Sequence, residues 1–326
     1  MKSFSIDSHN GIILSQSHDI FENLALEDWL YTNYDLTSKD LSVLLMWYNG
    51  PSVVIGRHQN PWIECSVDFC NSNNINIARR NSGGGTVYHD FGNLNFSFLT
   101  PRIKYDRKKN LELICESIRT ASKLGRNNAY HHCTVLVNVD QTKLRQSLFR
   151  NLKGVESKAT SSLRAEVMNL KLLCPDIDTI KVIEAVSNYY KQLHGVENVF
   201  CVTPNEDLFP GINKIKSQLK CWEWCFGHTP RFSVTKSFQL FDKSRKPISK
   251  VEIMMNVNKA KIESISLNPQ ILKKENFNAL SECIIKTPFT IEIHDSLAKW
   301  MHHCDDKIMC QIIKSYILEI IQDVCR

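Results

Sequence analysis

Two periodicities in the hydrophobic and polar positions predict a chain of mixed helices and strands. Apolar positions at helical spacing predict helices over 21–31 (capped near Asp19), 66–73, 110–123 (ending at Gly125), 141–149, 163–170 and 179–194 (ending at Gly195). Short apolar or β-branched runs predict strands at 43–48, 52–55, 75–79, 133–139, 237–241, 251–257 and 261–267, followed by amphipathic helices to Arg326. The pattern of hydrophobic and polar positions changes near Phe232, which predicts two domains, 1–232 and 233–326.

One strand has a clear period of two. Leu94, Phe96 and Phe98 alternate with the polar Asn93, Asn95 and Ser97, the pattern of a strand with one buried face. The three glycines at 83–85 therefore join two strands. A Walker loop or a Rossmann fingerprint would open a helix instead, and neither spacing is present.

The glycine loop is the part of the sequence best suited to bind a ligand. Without side chains, Gly83, Gly84 and Gly85 let a ligand approach their backbone N–H groups, which suit phosphate or carboxylate oxygens. Arg79 and Arg80 lie just upstream and are permanent cations. This arrangement predicts a site for an activated acyl group carried on a phosphate-bearing ligand.

Charge and cysteine usage exclude several classes of function. The net charge of +6 is spread along the chain, too weak to predict nucleic-acid binding but able to favour an acidic protein partner. The 12 cysteines include no C-x-x-C pair, and His302, His303, Cys304 and Cys310 complete no tetrahedral set, so we predict reduced intracellular thiols and no metal. No apolar run approaches the ~18–20 residues of a membrane span, so no membrane association is predicted.

Six ordered stretches resemble the lipoate–protein ligase A and lipoyltransferase family, whose order they follow over most of the chain. They are NLALEDWL at Asn23–Leu30, SVVIGRHQNPWIEC at Ser52–Cys65, ARRNSGGGTVYHDFGN at Ala78–Asn93, GRNNAYHHCTVL at Gly125–Leu136, LFPGIN at Leu208–Asn213 and WEWCFGHTPRFS at Trp222–Ser233. The likeness is greatest to the animal mitochondrial members.

The resemblance implies an α+β fold: a mixed β-sheet with flanking helices of the biotin- and lipoyl-ligase type, followed by a small α+β C-terminal domain. It also implies a reaction, in which a lipoyl group from lipoyl-AMP or from a lipoylated carrier is transferred to a lysine of an acceptor domain. The implied partners are the lipoyl domains of 2-oxo-acid dehydrogenase E2 subunits, with the glycine-cleavage H protein as a donor. A monomer is expected.

The implied compartment is the mitochondrion. The first twenty residues do not themselves look like a presequence, because Asp7 and Asp19 are present and Lys2 is their only strong base.

The family pattern also assigns candidate site residues. The lipoyl-AMP site would comprise Arg79, Gly84, Gly85, Thr86, Val87, Tyr88, Thr134 and Thr160, supported by His89, Asn93 and His132, with Trp47, Val54 and Ile55 as walls of an apolar slot for the lipoyl chain.

Each assignment has a purely structural alternative. Arg79 is also consistent with a surface strand position and Tyr88 with a core aromatic. His89 and His132 are also consistent with hydrogen-bonded structural residues, Thr134 with an ordinary strand residue, and Thr160 with a helix N-cap.

One element of the family pattern is absent. Members carry a strand–turn–strand with an aspartate and a K-[IV]-S-G motif just before the stretch that matches Thr120–Lys123, and its lysine is the family's principal cation at the acyl phosphate. Here the helix predicted over 110–119 runs directly into Thr120, and Lys123 has its own counterpart in the family, which makes it a weak substitute. We therefore predict a shortened or degenerate family member.

The sequence leaves three candidate functions: a lipoyl amidotransferase, a catalytically impaired binder of lipoyl domains, and a biotin–protein ligase. The RRNSGGG and HD-x-GN stretches favour lipoyl over biotin.

Overall fold

The computed structural model describes residues 11–37, 40–114, 119–124, 128–148, 152–163, 165–242 and 244–325, with the backbone alone at 111, 119–124 and 128–129. Its strands are β1 (Gly11–Ser15), β2 (Val43–Trp47), β3 (Ser52–Ile55), β4 (Asn76–Arg79), β5 (Val87–His89), β6 (Asn93–Pro101), β7 (Arg119–Leu124), β8 (Asn128–Leu136), β9 (Val155–Ser157), β10 (Val199–Val202), β11 (Phe232–Phe241), β12 (Pro247–Asn258) and β13 (Lys261–Asn268). Its α-helices are α1 (Ile20–Asn33), α2 (Pro61–Glu64), α3 (Val67–Ser72), α4 (Arg107–Leu113), α5 (Gln141–Leu148), α6 (Thr179–His194), α7 (Ile212–Lys220), α8 (Trp222–Cys225), α9 (Lys274–Ile284), α10 (His294–His302) and α11 (Lys307–Cys325). The mixed α+β class expected from the sequence is confirmed.

Contacts between Cα atoms divide the described chain into two units. The first unit comprises the described residues within 11–57, 70–148 and 161–225, and the second those within 58–69, 152–160 and 226–325. The boundary at residue 232 stays a prediction. None of the described helices combines the length and the apolar composition that a bilayer-spanning segment requires.

The first unit contains two sheets. The larger has the strand order β10-β1-β2-β6-β8-β7, in which β1 is parallel to both β10 and β2 and the remaining neighbours are antiparallel. The smaller has the order β4-β3-β5, with β4 parallel and β5 antiparallel to β3.

The large sheet is buried on both faces. Alternate positions such as Leu44 and Phe96 belong to a core cluster that includes Val182 and Tyr190 of α6, while Leu45 and Trp47 belong to a cluster that includes residues of α1 and α7. Because successive side chains of a strand point to opposite faces, helices on both sides bury the whole strand.

The expectation that one face of β6 is exposed is therefore wrong. Asn93, Asn95 and Ser97 are as buried as their apolar neighbours. They tolerate burial because they make hydrogen bonds inside the protein: Asn93 Nδ2 to Asn95 Oδ1 at 3.3 Å and Ser97 Oγ to Glu27 Oε1 at 2.5 Å. Period two correctly identified the strand but did not distinguish solvent from a polar interior.

Two predicted helices are wrong. In place of one helix over 110–123, α4 ends at Leu113 and β7 pairs antiparallel with β8, so long-range pairing overrides the local preference. Gly125, its expected end, lies outside the described residues. Residues 163 and 165–169 form no helix, and Asn169 instead bonds the backbone of Val139 through Oδ1 (2.9 Å) and Nδ2 (2.8 Å), which competes with helical pairing.

Other boundary signals are confirmed. Asp19 caps α1, where its Oδ1 accepts from the N–H groups of Phe21 at 2.7 Å and Glu22 at 3.2 Å. Gly195 ends α6 in the left-handed region at φ 64°, as a glycine C-cap does. The second unit contains the sheet β13-β12-β11-β9 and the helices α9–α11, in agreement with the predicted antiparallel sheet followed by helices.

A buried histidine makes the stability of the first unit sensitive to pH. His131 stacks on Phe98, is fully buried, and neither of its ring nitrogens has a hydrogen-bond partner in the described structure. Burial, with smaller contributions from His132 and Arg107, lowers the pKa of His131 to about 4. The unfolded chain, with an ordinary histidine pKa of about 6.5, therefore binds more protons between pH 6.5 and 4.

We expect the free energy of unfolding to fall by up to ~1.4 kcal/mol per pH unit from this residue as the pH drops through that window. His131→Phe should reduce the slope measured by urea unfolding between pH 7 and pH 4.5. The exposed His303→Phe serves as a control and should leave the slope unchanged. An unaltered slope in His131→Phe would contradict the assignment.

Candidate functional site

The glycine loop links two strands of the small sheet. It runs from the end of β4 to the start of β5, and both strands pair with β3, which confirms the predicted strand–loop–strand arrangement. Gly84 is exposed and has a φ of 91°, a conformation that side chains of L-residues rarely adopt. The loop therefore depends on glycine at this position for its conformation.

Arg80 holds this loop from the inside. Its guanidinium donates to the carbonyl of Gly83 (Nη2, 2.7 Å; Nε, 3.2 Å), the carbonyl of Gly85 (Nη2, 2.7 Å) and the carbonyl of Val54 (Nη1, 3.0 Å). Its Nε also contacts Ser82 Oγ at 3.1 Å. Burial lowers the pKa of Arg80 to about 10, partly offset by Glu27, so the group stays charged at neutral pH.

The carbonyl contacts fix where the loop amides point. In a trans peptide the C=O and the next N–H are antiparallel. Since the carbonyls of Gly83 and Gly85 face Arg80, the N–H groups of Gly84 and Thr86 point to the opposite side. The Thr86 N–H meets Ser162 Oγ there at 2.8 Å. The loop thus presents backbone donors on the side away from a buried cation.

Arg79, the arginine chosen from the family pattern, lies elsewhere. It is fully buried, which rules out the surface-strand alternative. Its Nε donates to the carbonyls of Trp224 (3.1 Å) and Cys225 (2.9 Å), and its Nη1 donates to those of Gly56 (3.3 Å) and Arg57 (2.9 Å). These contacts fasten β4 to α8 and to the end of β3, and a role of Arg79 toward lipoyl-AMP stays a prediction.

Strand β5 sends its side chains to two different environments. His89 lies against Trp47, with ring centroids 5.8 Å apart, and its Nδ1 is 3.1 Å from Asn49 Nδ2. Burial, together with Arg80 and His132, lowers the pKa of His89 to about 3, so the ring is neutral. Tyr88 lies on the other face of β5 and lines a groove of about 510 Å³ together with Asp90 and Asp140. A role of Tyr88 toward lipoyl-AMP stays a prediction.

Register aligns three polar or aromatic side chains on one face of the large sheet. Trp47 of β2 lies opposite Asn95 of β6, which lies opposite Thr134 of β8. Thr134 Oγ1 bonds Asn95 Oδ1 at 3.0 Å, and Trp47 Nε1 donates to Ser97 Oγ at 3.1 Å. All of them are buried.

A chain of polar contacts connects this face to the glycine loop. Glu27 of α1, 1% exposed, contacts His132 Nδ1 at 3.2 Å. His132 Nε2 is in turn 3.2 Å from Ser82 Oγ, at the start of the loop. The chain Glu27–His132–Ser82 ends at Arg80 through the contact of Ser82 Oγ with Arg80 Nε. A buried carboxylate and a buried cation thus bracket a histidine beside the loop.

Most of the sequence-predicted residues belong to the first unit. The glycine loop, His89, Asn93, Thr134 and His132 belong to it. Thr160 belongs to the second unit, where its N–H donates to the carbonyl of His58 at 3.2 Å and no helix follows for it to cap. The Lys123 side chain lies outside the described residues. Trp47, Val54 and Ile55, the predicted slot walls, are all buried.

Four residues of this arrangement were not singled out from the sequence: Glu27, Ser82, Ser97 and Ser162. A usable signal existed for Glu27 and Ser97. Two adjacent acidic residues, Glu27 and Asp28, interrupt the apolar stretch of α1, and a polar row lies on a central strand; buried polar groups need partners, and Glu27 and Ser97 are partners of each other.

The arrangement suits anionic acyl chemistry. Preorganised N–H donors next to a buried cation stabilise negative charge on phosphoryl or carbonyl oxygens. Among the described residues, no group of three or more His, Cys, Asp or Glu side chains is placed to hold a metal ion.

Comparison with known proteins places this arrangement in a family. The family model described as lipoyl protein ligase A/B catalytic domain matches residues 19–123 and 119–191. The mitochondrial lipoyl amidotransferase LIPT1 of Homo sapiens is 39% identical over 284 aligned positions, covering 78% of this chain and 75% of the human protein.

Two solved structures share the fold. LipL1 of P. falciparum in complex with lipoate superimposes with a TM-score of 0.56 at 23% identity, covering 95% of this chain and 99% of that chain. The bipartite lipoate protein ligase of Thermoplasma acidophilum, solved in work on its E2 lipoyl domain, has a TM-score of 0.53 at 19% identity, covering 67% of this chain and 96% of that chain. On the strength of the family match and the human relative, this chain belongs to the lipoyltransferase and lipoate–protein ligase family of acyltransferases.

Proposed function

We propose that this chain binds lipoyl-AMP at the glycine loop and transfers the lipoyl group to a lysine on the lipoyl domain of a 2-oxo-acid dehydrogenase E2 subunit. The observation that carries the proposal is the loop geometry. Arg80 bonds the carbonyls of Gly83 and Gly85, so that the N–H groups of Gly84 and Thr86 point away from Arg80.

The chemistry of the transfer matches those donors. When the lysine ε-amine attacks the carbonyl carbon of lipoyl-AMP, negative charge builds on the carbonyl and phosphate oxygens. The new C–N bond forms as the C–O bond to the phosphate breaks, AMP leaves, and the amine loses one proton to solvent. The amides of Gly84 and Thr86, with the charge of Arg80 behind them, are suited to that charge without reorganising. The neutral His89 and the buried Trp47 offer surroundings from which water is largely excluded.

The relatives support the proposed acceptor and compartment, whereas the donor protein and the monomeric state rest on the sequence resemblance alone. The human relative is named a mitochondrial lipoyl amidotransferase, and the archaeal ligase was solved in work on its E2 lipoyl domain. We propose an E2 lipoyl domain as acceptor, the glycine-cleavage H protein as a lipoyl donor, the mitochondrion as compartment and a monomeric enzyme.

A specific observation favours a second candidate, a catalytically impaired form that binds lipoyl domains. The family model matches in two pieces that share residues 119–123, the place where the strand–turn–strand with its lysine would be inserted. The alignment with the human relative also spans 284 positions, more than the roughly 254 residues that 78% of this chain supplies. Both facts support a chain shorter than its relatives; that the missing stretch carries the family's principal cation rests on the sequence resemblance.

Mass spectrometry of the acceptor separates the two candidates. The purified chain is incubated with lipoyl-AMP and an unmodified E2 lipoyl domain, and the intact mass of the domain is followed over time. Transfer predicts the gain of one lipoyl group, absent when the acceptor lysine is replaced by arginine or when biotinyl-AMP is the donor. No gain above the enzyme-free reaction, with retained binding of the domain, would support the impaired form instead.

A further inference from the structure

One glycine-loop amide that points away from Arg80 already donates to an oxygen atom of the protein. Ser162 Oγ accepts the Thr86 N–H at 2.8 Å. The Ser162 side chain also packs closely against Gly85. A Cβ placed on Gly85 would lie 3.2 Å from Ser162 Oγ and 3.4 Å from Ser162 Cβ. Both residues belong to the first unit.

The Thr86 amide does not owe its direction to Ser162. Arg80 fixes the preceding peptide by bonding the carbonyl of Gly85 at 2.7 Å. The donor is therefore held in place whichever acceptor faces it, and the acceptor in this structure is Ser162 Oγ. A serine oxygen is a neutral acceptor, whereas a phosphoryl oxygen is charged and accepts a stronger hydrogen bond.

We propose that Ser162 competes from within the chain for the phosphate site, occupying the Thr86 amide until the phosphoryl group of the acyl nucleotide displaces it. The identity of the ligand rests on the proposed function. The exchange replaces one hydrogen bond by another, so Ser162 lowers the affinity for the nucleotide while keeping the loop satisfied when the site is empty. Ser162 is in this sense a positioning residue that sets how tightly the acyl donor is held.

The test compares Ser162→Ala with the exposed neighbour Ser161→Ala in the full chain. Calorimetric titration with lipoyl-AMP should give an affinity about 2- to 10-fold tighter for Ser162→Ala, the value of one neutral hydrogen bond, and no change for Ser161→Ala. Without ligand, hydrogen exchange at the Thr86 amide should speed up in Ser162→Ala alone, a readout that does not depend on any activity.

The remaining outcomes overturn the inference in different ways. Weaker binding by Ser162→Ala makes Ser162 a ligand contact, and equal binding with faster Thr86 exchange shows a contact that does not compete. Unchanged Thr86 exchange removes the contact itself. If wild type and both variants all fail to bind lipoyl-AMP, the proposed function is contradicted and the inference loses its ligand. If all three bind lipoyl-AMP but Ser162→Ala does not bind more tightly, the inference is wrong and the proposed function stands.

Discussion

Replacing Arg80 by methionine should destabilise the first unit by about 3–5 kcal/mol and abolish measurable binding of lipoyl-AMP. Methionine keeps the unbranched stem but leaves the carbonyls of Val54, Gly83 and Gly85 without the donors they now have. Leaving a buried hydrogen-bond acceptor without its donor lowers the free energy of unfolding by about 1–3 kcal/mol. Removing the partner of buried polar groups is among the most destabilising single substitutions. Urea unfolding and calorimetric titration measure the two effects.

Arg80→Lys tests geometry separately from charge. A lysine keeps the cation but lacks the planar fork that reaches several carbonyls at once, so we expect it to recover only part of the stability and binding. The exposed Lys109→Met serves as the control for loss of a positive charge. Wild-type affinity in Arg80→Met would show that the loop keeps its conformation without this clamp.

Inserting the family's strand–turn–strand between Arg119 and Thr120 should raise the rate of lipoyl transfer about 10²–10³-fold. The expectation follows from the cost of removing one cation or donor from a site where charge develops in the transition state. The inserted stretch is taken from a family member that carries the K-[IV]-S-G motif, and the rate is measured by the mass gain of the E2 lipoyl domain.

The matched control carries the same insertion with its lysine changed to alanine. This control repairs the sheet without restoring the cation, so its rate should stay near that of the present chain. Equal rates for the two insertions would assign the defect to folding rather than to the missing charge. A chain that already transfers as fast as the lysine insertion would contradict the impaired form.

Much of the fold could be predicted from short sequence signals, because the contacts behind those signals join residues that are close in the sequence. Asp19 and Gly195 mark the ends of α1 and α6 through contacts within a few residues of themselves. The glycine loop was correctly placed between strands because the apolar runs on both sides are short. The error at β7 has the opposite origin, since its pairing with β8 is tertiary and leaves no helical or strand period in the sequence.

The site was harder to predict because the role of each residue depends on the direction in which its side chain points. Arg79 and Arg80 are adjacent and chemically identical, yet one fastens α8 and the other holds the loop. Which arginine faces the loop depends on where the alternation of β4 ends, and that point is set by its pairing with β3. The partnership of Glu27 with Ser97 likewise joins residues 70 positions apart. Sequence patterns identify such residues as buried and polar but not as partners.

The central claim is that the glycine-loop amides bind lipoyl-AMP. Because the chain has only 12 glycines, a protein labelled with ¹⁵N at glycine gives a sparse amide spectrum in which each loop residue is followed separately. On titration with lipoyl-AMP, we expect the Gly84 and Gly85 resonances to move and saturate together, while those of Gly195 and Gly211 stay in place. Loop resonances that remain unmoved at saturating lipoyl-AMP would contradict the account.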